Sequence, residues 1–436
     1  MTPEDAELLD NLPETKREAN EVPSAERARA RELAAARVTE AFGRDLPHGR
    51  LRVSPLGAEW SKDLDLYVKT PVTKEGLEAL GWLPLERLSR KGDPNARWAV
   101  MAEGKVLTGL DVHVGDQPQR NELETIMNRC RRRGRVGLRE VLELRVLQRG
   151  GRSLSGSESI LAAAARAEAA LDGAELARWL DGPAEMPPIE LVQGLPARLK
   201  AQAARLKRKP KIVAVSGVDG SGKSTLADAL ATELRAAGFE VHRVWARPGM
   251  EMRFVKVLAR SLKRLLRMGS GTGVRKVARG EATAETRPSS RRGLVGWAWA
   301  LMVTLSYIAK VRGAVHGRRG VVVFDRHLLD ALVTLDFVYE GVNLRLQRAL
   351  IKSLIPKAMT TFYLAIEADQ AVARKQSVVF GEYAVKKQLE HYERRRPDFE
   401  EVVELDATKP AEELTAEALR RVASRNDRSK PVGWES

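Results

Sequence analysis

The sequence contains a single cysteine, Cys130, among 436 residues. One thiol cannot form an internal disulfide, which excludes the disulfide-stabilised secreted scaffolds and favours a reducing compartment. The first 20 residues are acidic and polar, and they lack the apolar core flanked by basic residues that a signal peptide needs. We therefore expect a cytoplasmic protein.

Long apolar stretches and internal repeats are also missing. The one prominent apolar run, residues 294–309, is shorter than the roughly 20 residues that span a bilayer. A buried helix accounts for this run better than membrane insertion does, so we expect no membrane partner.

Acidic residues are outnumbered by basic ones. The chain has 74 Lys and Arg against 58 Asp and Glu, which gives a net charge of +16. Such a charge is compatible with nucleic acid, an anionic membrane surface, or polyanionic small molecules such as nucleotides. The basic residues are spread over the chain, with clusters at 131–135 and 207–211, so charge alone does not choose between these partners.

The length predicts two or three domains rather than one. Residues 1–44 are polar and helical in pattern, and residues 45–120 have the short alternating apolar runs of a small α+β domain. Residues 121–182 are again helical in pattern. Residues 183–210 resemble a linker, because the stretch 181–211 contains Gly-Pro, Pro-Pro and a basic tail. Residues 211–436 alternate continuous apolar strands with helices, which predicts an α/β/α domain around a parallel sheet.

Individual elements are also predicted. In the small domain, strands at 97–102 and 106–114 form a hairpin whose turn is Glu103-Gly104. In the C-terminal domain, a helix is expected at 224–237. Strands of that domain are expected at 212–216, 241–245, 321–324, 361–366 and 402–405.

A phosphate-binding loop follows the first of these strands. The match to G-x-x-x-x-G-K-[ST] is complete, and Thr225 follows it: Gly217-Val218-Asp219-Gly220-Ser221-Gly222-Lys223-Ser224. Glycines let backbone N–H groups turn inward towards phosphate oxygens, and the following helix adds its positive end. This pattern predicts that ATP binds here, with Lys223 on the β- and γ-phosphates and the Ser224 hydroxyl on Mg²⁺.

An acid inside the loop, Asp219, is unusual beside ATP phosphates, which would repel it. We expect its carboxylate to point away from ATP towards the acceptor, where it could accept a hydrogen bond from a sugar hydroxyl.

A second acid lies at the end of the apolar strand 321–324. Asp325 is followed by Arg326 and His327, at the sheet edge where open α/β folds bind ligands. Asp325 could orient Mg²⁺ through water, or act as a base if the acceptor is a hydroxyl. Arg326 could hold an acceptor phosphate bidentately.

The sequence G-V-D-G-S-G-K-S-T, with Asp-Arg-His after a later apolar strand, resembles the thymidylate-kinase-like nucleoside and nucleotide kinases. The resemblance covers about residues 211–423. It implies a P-loop kinase with MgATP on Lys223 and Ser224, the acceptor sugar on Asp219 and the acceptor phosphate on Arg326. It also implies a lid cation at Arg374, with Lys375 as the alternative. The acceptor would be a nucleoside monophosphate or a related small molecule, and a homodimer is possible.

The N-terminal domain has a second acid pattern. Asp63 and Asp65 share one face of a strand, and Asp111 lies on a neighbouring strand. This D-x-D…D arrangement resembles the nucleotidyltransferase fold, in which three acids can hold two Mg²⁺ ions. The three tryptophans Trp60, Trp82 and Trp98 are interpreted as core residues.

Two other functions are compatible with the sequence. One is a kinase for a nucleoside or another hydroxyl acceptor, with Asp325 as the base. The other is an ATP-sensing, nucleic-acid-associated protein in which the positive charge binds RNA or DNA and nucleotide controls the N-terminal module.

Overall fold

The computed structural model describes most of the two predicted α/β regions. The described residues are 23–41, 49–114 except 55, 62, 70–71, 73, 86 and 89–95, positions 126, 139, 142 and 143, and residues 210–247, 293–374 and 382–423. Nearly all of the predicted helical domain and linker, together with Lys375, lie outside these residues. The chain forms two compact units, of which the second comprises Arg205–Thr232 and Phe239–Val422.

Among the described residues with defined element bounds, the first unit contains a five-stranded sheet and two α-helices. The helices are α1 (Ala25–Ala41) and α2 (Lys74–Ala79), and a short 3₁₀ helix covers Ala58–Trp60. The strands are β1 (Gly49–Arg52), β2 (Asp63–Val68), β3 (Leu83–Pro84), β4 (Ala96–Ala102) and β5 (Lys105–Val114). Their order is β1-β2-β5-β4-β3, with β2 and β5 parallel and the other neighbours antiparallel.

Side-chain alternation gives this sheet one apolar and one polar face. Leu64 and Leu66 of β2 are fully buried in a cluster with Ala34 and Val38 of α1. Asp63 and Asp65 alternate with them and therefore lie on the other face. Trp60, Trp82 and Trp98 are all buried, which confirms their predicted place in the core.

The predicted hairpin between β4 and β5 is confirmed. Glu103 and Gly104 have φ angles of 50° and 77°, the left-handed pair that a two-residue turn needs to match the twist of its strands.

The second unit contains a parallel sheet and seven described helices. The strands are β6 (Lys211–Gly217), β7 (Val241–Trp245), β8 (Val321–Asp325), β9 (Thr360–Ala365) and β10 (Val402–Asp406). The helices are α3 (Lys223–Ala236), α4 (Gly293–Val315), α5 (Leu328–Val338), α6 (Arg345–Leu354), α7 (Ala368–Arg374), α8 (Glu382–Arg395) and α9 (Ala411–Ala423). The five strands lie within two residues of their predicted bounds.

The strand order in the second unit is β10-β9-β6-β8-β7, and every pair is parallel. The chain passes from β6 to β7 and β8 on one side and then crosses to β9 on the other. The carboxyl end of β6 is therefore a topological switch point, where two connections leave in opposite directions and open a crevice. The P-loop begins at this end of β6.

Both faces of the central strand are covered. Ile212 and Ala214 pack in a cluster with residues of α4, α5 and α6, while Val213 and Val215 on the other face are also fully buried. Continuous burial of this kind explains why residues 212–215 of β6 are all apolar instead of alternating.

Helix α4 contains the long apolar run. Tyr307 and Val311 are buried in the core, whereas Leu294 and Leu305 are exposed, so the predicted burial holds for one side of the helix only. In the part of the chain that the structure describes, no helix is long and apolar enough to cross a membrane.

Candidate functional site

Glycines shape the P-loop at the carboxyl end of β6. Gly217, Gly220 and Gly222 have φ angles of 145°, 92° and 89°, a region that side-chain-bearing residues avoid. A Cβ atom on Gly220 would lie 2.2 Å from the carbonyl oxygen of Ala371 in α7. Only glycine therefore fits at this position of the loop, as in the glycine-rich backbone of a phosphate site.

Lys223 opens α3 and lies folded into the loop. Its side chain is buried, its Nζ donates to the carbonyl oxygen of Val218, and the nearest oxygen of Asp219 is 3.8 Å away. Burial, and then the charge of Arg326, lower the pKa of Lys223 to about 8. An anionic ligand in the loop would offset this burial and restore the charged form.

Ser224 and Asp325 meet although they belong to different elements. The hydroxyl of Ser224 donates to Oδ2 of Asp325 at 2.6 Å, and Arg243 of β7 donates to the same oxygen at 3.3 Å. Oδ1 of Asp325 is buried and has no hydrogen-bond partner among the described residues. A hydroxyl beside a buried carboxylate oxygen with spare acceptor capacity is a donor set that fits Mg²⁺.

Asp219 faces two arginines, and its predicted direction away from ATP stays a prediction. Its Oδ1 pairs with NH2 of Arg326, and its Oδ2 lies 3.8 Å from NH1 of Arg247. Burial tends to lower the pKa of Arg326, but Asp330 and Asp219 outweigh it and raise the pKa. For Arg247 the balance is reversed, because burial and the nearby Arg326 lower its pKa.

Arg326 has a backbone conformation that is rare for a side-chain-bearing residue. Its φ angle is 77°, and its N–H donates to the carbonyl oxygen of Val215 at 3.0 Å. Strained residues of this kind persist where the surrounding structure fixes them, and they occur preferentially at functional sites.

His327 follows Arg326 in the chain, and its side chain is buried. Its ring is buried against Phe324, with ring centres 4.7 Å apart, and neither ring nitrogen has a partner among the described residues. Burial lowers the pKa of His327 to about 4, so the imidazole stays neutral near pH 7. Tyr307 of α4 donates to the His327 carbonyl oxygen at 3.0 Å and thereby ties α4 to this turn.

Asp330 is a contributor to the site that the sequence analysis missed. Its fully buried carboxylate accepts hydrogen bonds from Ser216 at 2.5 Å and Tyr392 at 2.7 Å, and it lies 4.0 Å from NH1 of Arg326. The available signal was an acid in the first turn of an otherwise apolar helix, Leu328-Leu329-Asp330-Ala331-Leu332. Arg243 was missed as well, because nothing in the local sequence distinguishes an exposed arginine on a short strand from one that reaches Asp325.

The remaining P-loop side chains differ in exposure. Ser221 is buried and its Oγ has no partner among the described residues, while Ser224 and Thr225 are exposed. Arg374, the expected lid cation, ends α7 and donates to the carbonyl oxygen of Ala407 at 2.7 Å. Its role as the lid cation stays a prediction.

The three acids of the first unit are brought together, but with an arginine among them. Arg97 of β4 donates to both oxygens of Asp111, at 2.7 and 3.0 Å, and to Asp63 at 2.5 Å. Asp65 instead contacts His113 at 2.9 Å. Among the residues that the structure describes, no group of three or more His, Cys, Asp or Glu side chains is placed to hold a metal ion. Metal binding by these acids therefore stays a prediction. Two of them, Asp63 and Asp111, form ion pairs with Arg97.

No protein-family model and no curated protein matches this chain. One solved structure similar to it is a deoxyadenosine kinase from M. mycoides with bound dCTP, at 14% sequence identity and a TM-score of 0.30. The match covers 48% of this chain and 98% of that chain. At this identity and score, the similarity assigns the chain to no family.

Proposed function

We propose that the second unit is a kinase that transfers the γ-phosphoryl group of ATP to a small acceptor that itself carries a phosphate, of the nucleoside monophosphate class. The observation that carries the proposal is the position of Asp219, which stands between the phosphate cradle and two arginines, Arg326 and Arg247. ATP and the acceptor would therefore bind on opposite sides of one loop.

The proposed ATP-binding groups belong mainly to the P-loop. Inward N–H groups, the start of α3 and Lys223 would bind the β- and γ-phosphates. Ser224 and Asp325 would hold Mg²⁺, which neutralises phosphate charge when it is bound. Because Asp325 hydrogen-bonds to Ser224, its place beside the metal ligand favours the Mg²⁺ role over the role of a base.

The acceptor side carries the arginines. Arg326 and Arg247 present guanidinium groups beside the loop, and guanidinium matches the geometry of a phosphate better than that of a lone hydroxyl. Asp219 could accept a hydrogen bond from a sugar hydroxyl once an acceptor phosphate takes its place on Arg326. Arg374 is the proposed lid cation, which would neutralise charge on the transferred group.

Catalysis by such a site consists of positioning and charge neutralisation. The acceptor oxygen attacks the γ-phosphorus, the bond from that phosphorus to the β,γ-bridging oxygen breaks, and ADP leaves. Lys223 would stabilise the charge that develops on the β,γ-bridging oxygen, while Arg326 holds the acceptor in line.

The test is a product screen with γ-labelled ATP against matched pairs of nucleosides and their monophosphates. The wild-type chain should label monophosphates only, and Lys223→Ala should remove the labelling. Labelled nucleosides would replace the proposal by a hydroxyl-acceptor kinase. If no acceptor raises ATP consumption above the Lys223→Ala background, the kinase assignment fails.

A further inference from the structure

Asp330 is the buried centre of a polar cluster next to the P-loop. It accepts hydrogen bonds from Ser216 Oγ at 2.5 Å, Tyr392 OH at 2.7 Å and the backbone N–H of His327 at 3.2 Å. NH1 of Arg326 lies 4.0 Å from its Oδ1. These four groups come from β6, α8 and the turn before α5, so a single carboxylate connects three parts of the site.

A fully buried carboxylate is costly unless donors and a cation surround it. The neighbouring residues of α5 are apolar, and the helix would bury an apolar residue here without that cost. Ser216 and Tyr392 satisfy the carboxylate but do not need it, because a hydroxyl can pair with a neutral acceptor. The charge of the carboxylate also favours the protonated forms of Lys223 and Arg247, but Arg326 is the cation at ion-pair distance and the one for which Asp330 is the largest stabilising charge.

Arg326 is therefore held from two sides. NH2 pairs with Asp219 and NH1 faces Asp330. The two acids differ in accessibility, since the side chain of Asp219 is 13% exposed and that of Asp330 is 0% exposed. An incoming phosphate can displace the loop acid from NH2, whereas Asp330 stays in place behind the guanidinium.

We propose that Asp330 is a positioning residue for the acceptor, which keeps the Arg326 guanidinium aimed at the acceptor phosphate after Asp219 has been displaced. The inference rests on the proposed function of the same site. Its chemical basis is the charge of the carboxylate. Asparagine removes this charge and also replaces one of the two acceptor oxygens by an N–H donor, so the controls remove single hydrogen bonds while they keep the charge.

The test compares Asp330→Asn with Tyr392→Phe and Ser216→Ala in the full chain. The asparagine keeps the size and one acceptor oxygen but removes the charge, whereas the two controls each remove one hydrogen bond and keep the charge. For Asp330→Asn we expect the acceptor KM to rise about tenfold or more, with the KM for ATP changed by less than about twofold. In the controls the acceptor KM should stay within about threefold of wild type.

Several kinetic outcomes would overturn the inference. The inference is wrong if Asp330→Asn leaves the acceptor KM unchanged, or if Tyr392→Phe raises it as much, because the cluster would then act only in packing. If the asparagine variant does not fold, Asp330→Glu moves the charge by one methylene, and an unchanged acceptor KM in that variant has the same meaning.

A second readout does not need turnover. Phenylglyoxal modifies accessible, unpaired arginines, and mass spectrometry assigns the modification to individual residues. In Asp330→Asn we expect Arg326 to react at least about threefold faster than in wild type. Arg348, which pairs with Asp336 at 2.9 Å, should be unchanged and serves as the internal reference. Equal Arg326 rates would overturn the role of Asp330. If the wild-type chain phosphorylates no acceptor, the proposed function fails, and this readout still decides whether Asp330 holds Arg326.

Discussion

The hydroxyl of Ser224 donates to Asp325 at 2.6 Å, although 101 positions of sequence separate the two residues. This contact joins the P-loop to the neighbouring strand β8 at the place where Mg²⁺ would bind. Asn at position 325 would still accept the hydrogen bond but would bind a divalent cation weakly.

For Asp325→Asn we expect the Mg²⁺ concentration for half-maximal turnover to rise by about 10- to 100-fold, with part of the activity regained at high Mg²⁺. The measurement is the initial rate over a Mg²⁺ titration at saturating ATP. Loss of turnover with an unchanged Mg²⁺ midpoint would instead identify Asp325 as a base acting on a hydroxyl acceptor.

The buried amine of Lys223 should make ATP binding depend on pH. Burial lowers its pKa to about 8 from the usual 10.5, so in the ligand-free protein it loses its proton as the pH rises through about 8. Phosphates bind the protonated form, so ATP binding should take up a proton above this pH. The ATP affinity should fall by at most about tenfold per pH unit there.

Titration calorimetry at pH 8.5 in two buffers of different ionisation enthalpy measures this proton uptake. Lys223→Arg is the control, because arginine stays protonated at this pH and should give equal heats in both buffers. Equal heats in the wild-type chain would show that Lys223 is already protonated before ATP binds.

The same pKa predicts how stability depends on pH. Between pH 8 and 10.5 the unfolded lysine holds its proton and the folded one does not, so the unfolded state binds more protons. The contribution of Lys223 to the free energy of unfolding should therefore increase as the pH rises through this window.

Two glycines of the P-loop have nearly the same backbone conformation but different surroundings, so their alanine variants can be compared directly. Gly220 and Gly222 have φ angles of 92° and 89°, but only at Gly220 would a Cβ meet backbone, at 2.2 Å from Ala371. Gly222→Ala should cost about 1–2 kcal/mol of stability from strain alone. Gly220→Ala should cost about 1–3 kcal/mol more, because the loop must also move away from α7.

Urea unfolding of the two alanine variants measures this difference in free energy. Equal midpoints and slopes for the two variants would show that the contact with Ala371 does not constrain the loop.

Arg97 supports the polar face of the first unit. Burial raises the pKa of Asp63, and Arg97 opposes that shift. Arg97→Ala would leave Asp63 and Asp111 facing each other without their cation. We expect a loss of about 1–2 kcal/mol at pH 7, less than the roughly 3–5 kcal/mol of a fully buried pair, because water reaches these side chains.

The loss in Arg97→Ala should shrink as the pH falls, because protonated carboxyl groups need no cation. Denaturant unfolding at pH 7 and pH 4.5 checks this expectation, with Arg37→Ala as an exposed control. A constant difference between the two pH values would show that Arg97 contributes by packing and not by charge.

The predictions that held are those that depend on local pattern. The strands of the second unit lie close to their predicted bounds because each is a short continuous apolar run with a breaker beyond it. The turn at Glu103-Gly104 was predictable because left-handed φ angles are a property of those two residues. Helix α4 was predicted only in part, since the length of an apolar run does not say which of its sides faces the core.

The site was predicted less completely than the strands. Asp219, Lys223, Ser224, Asp325 and Arg326 were identified from motifs, and the structure brings all five together. Arg243, Asp330 and Tyr392 were missed because each acts through a partner far away in sequence. In the first unit the acids were found, but the arginine between them was not, since β4 reaches Asp111 only through strand pairing.

The sequence by itself determined the order of strands and helices along the chain, the glycine loop and the residue types of its G-x-x-x-x-G-K-[ST] pattern, because these follow from backbone conformation and side-chain period. Only the tertiary structure decided that β6 lies between β8 and β9, that Asp325 reaches Ser224, and that Arg326 stands between Asp219 and Asp330. The reason is that strand order and burial arise from contacts between distant segments, and no local pattern encodes which charges those contacts leave facing each other.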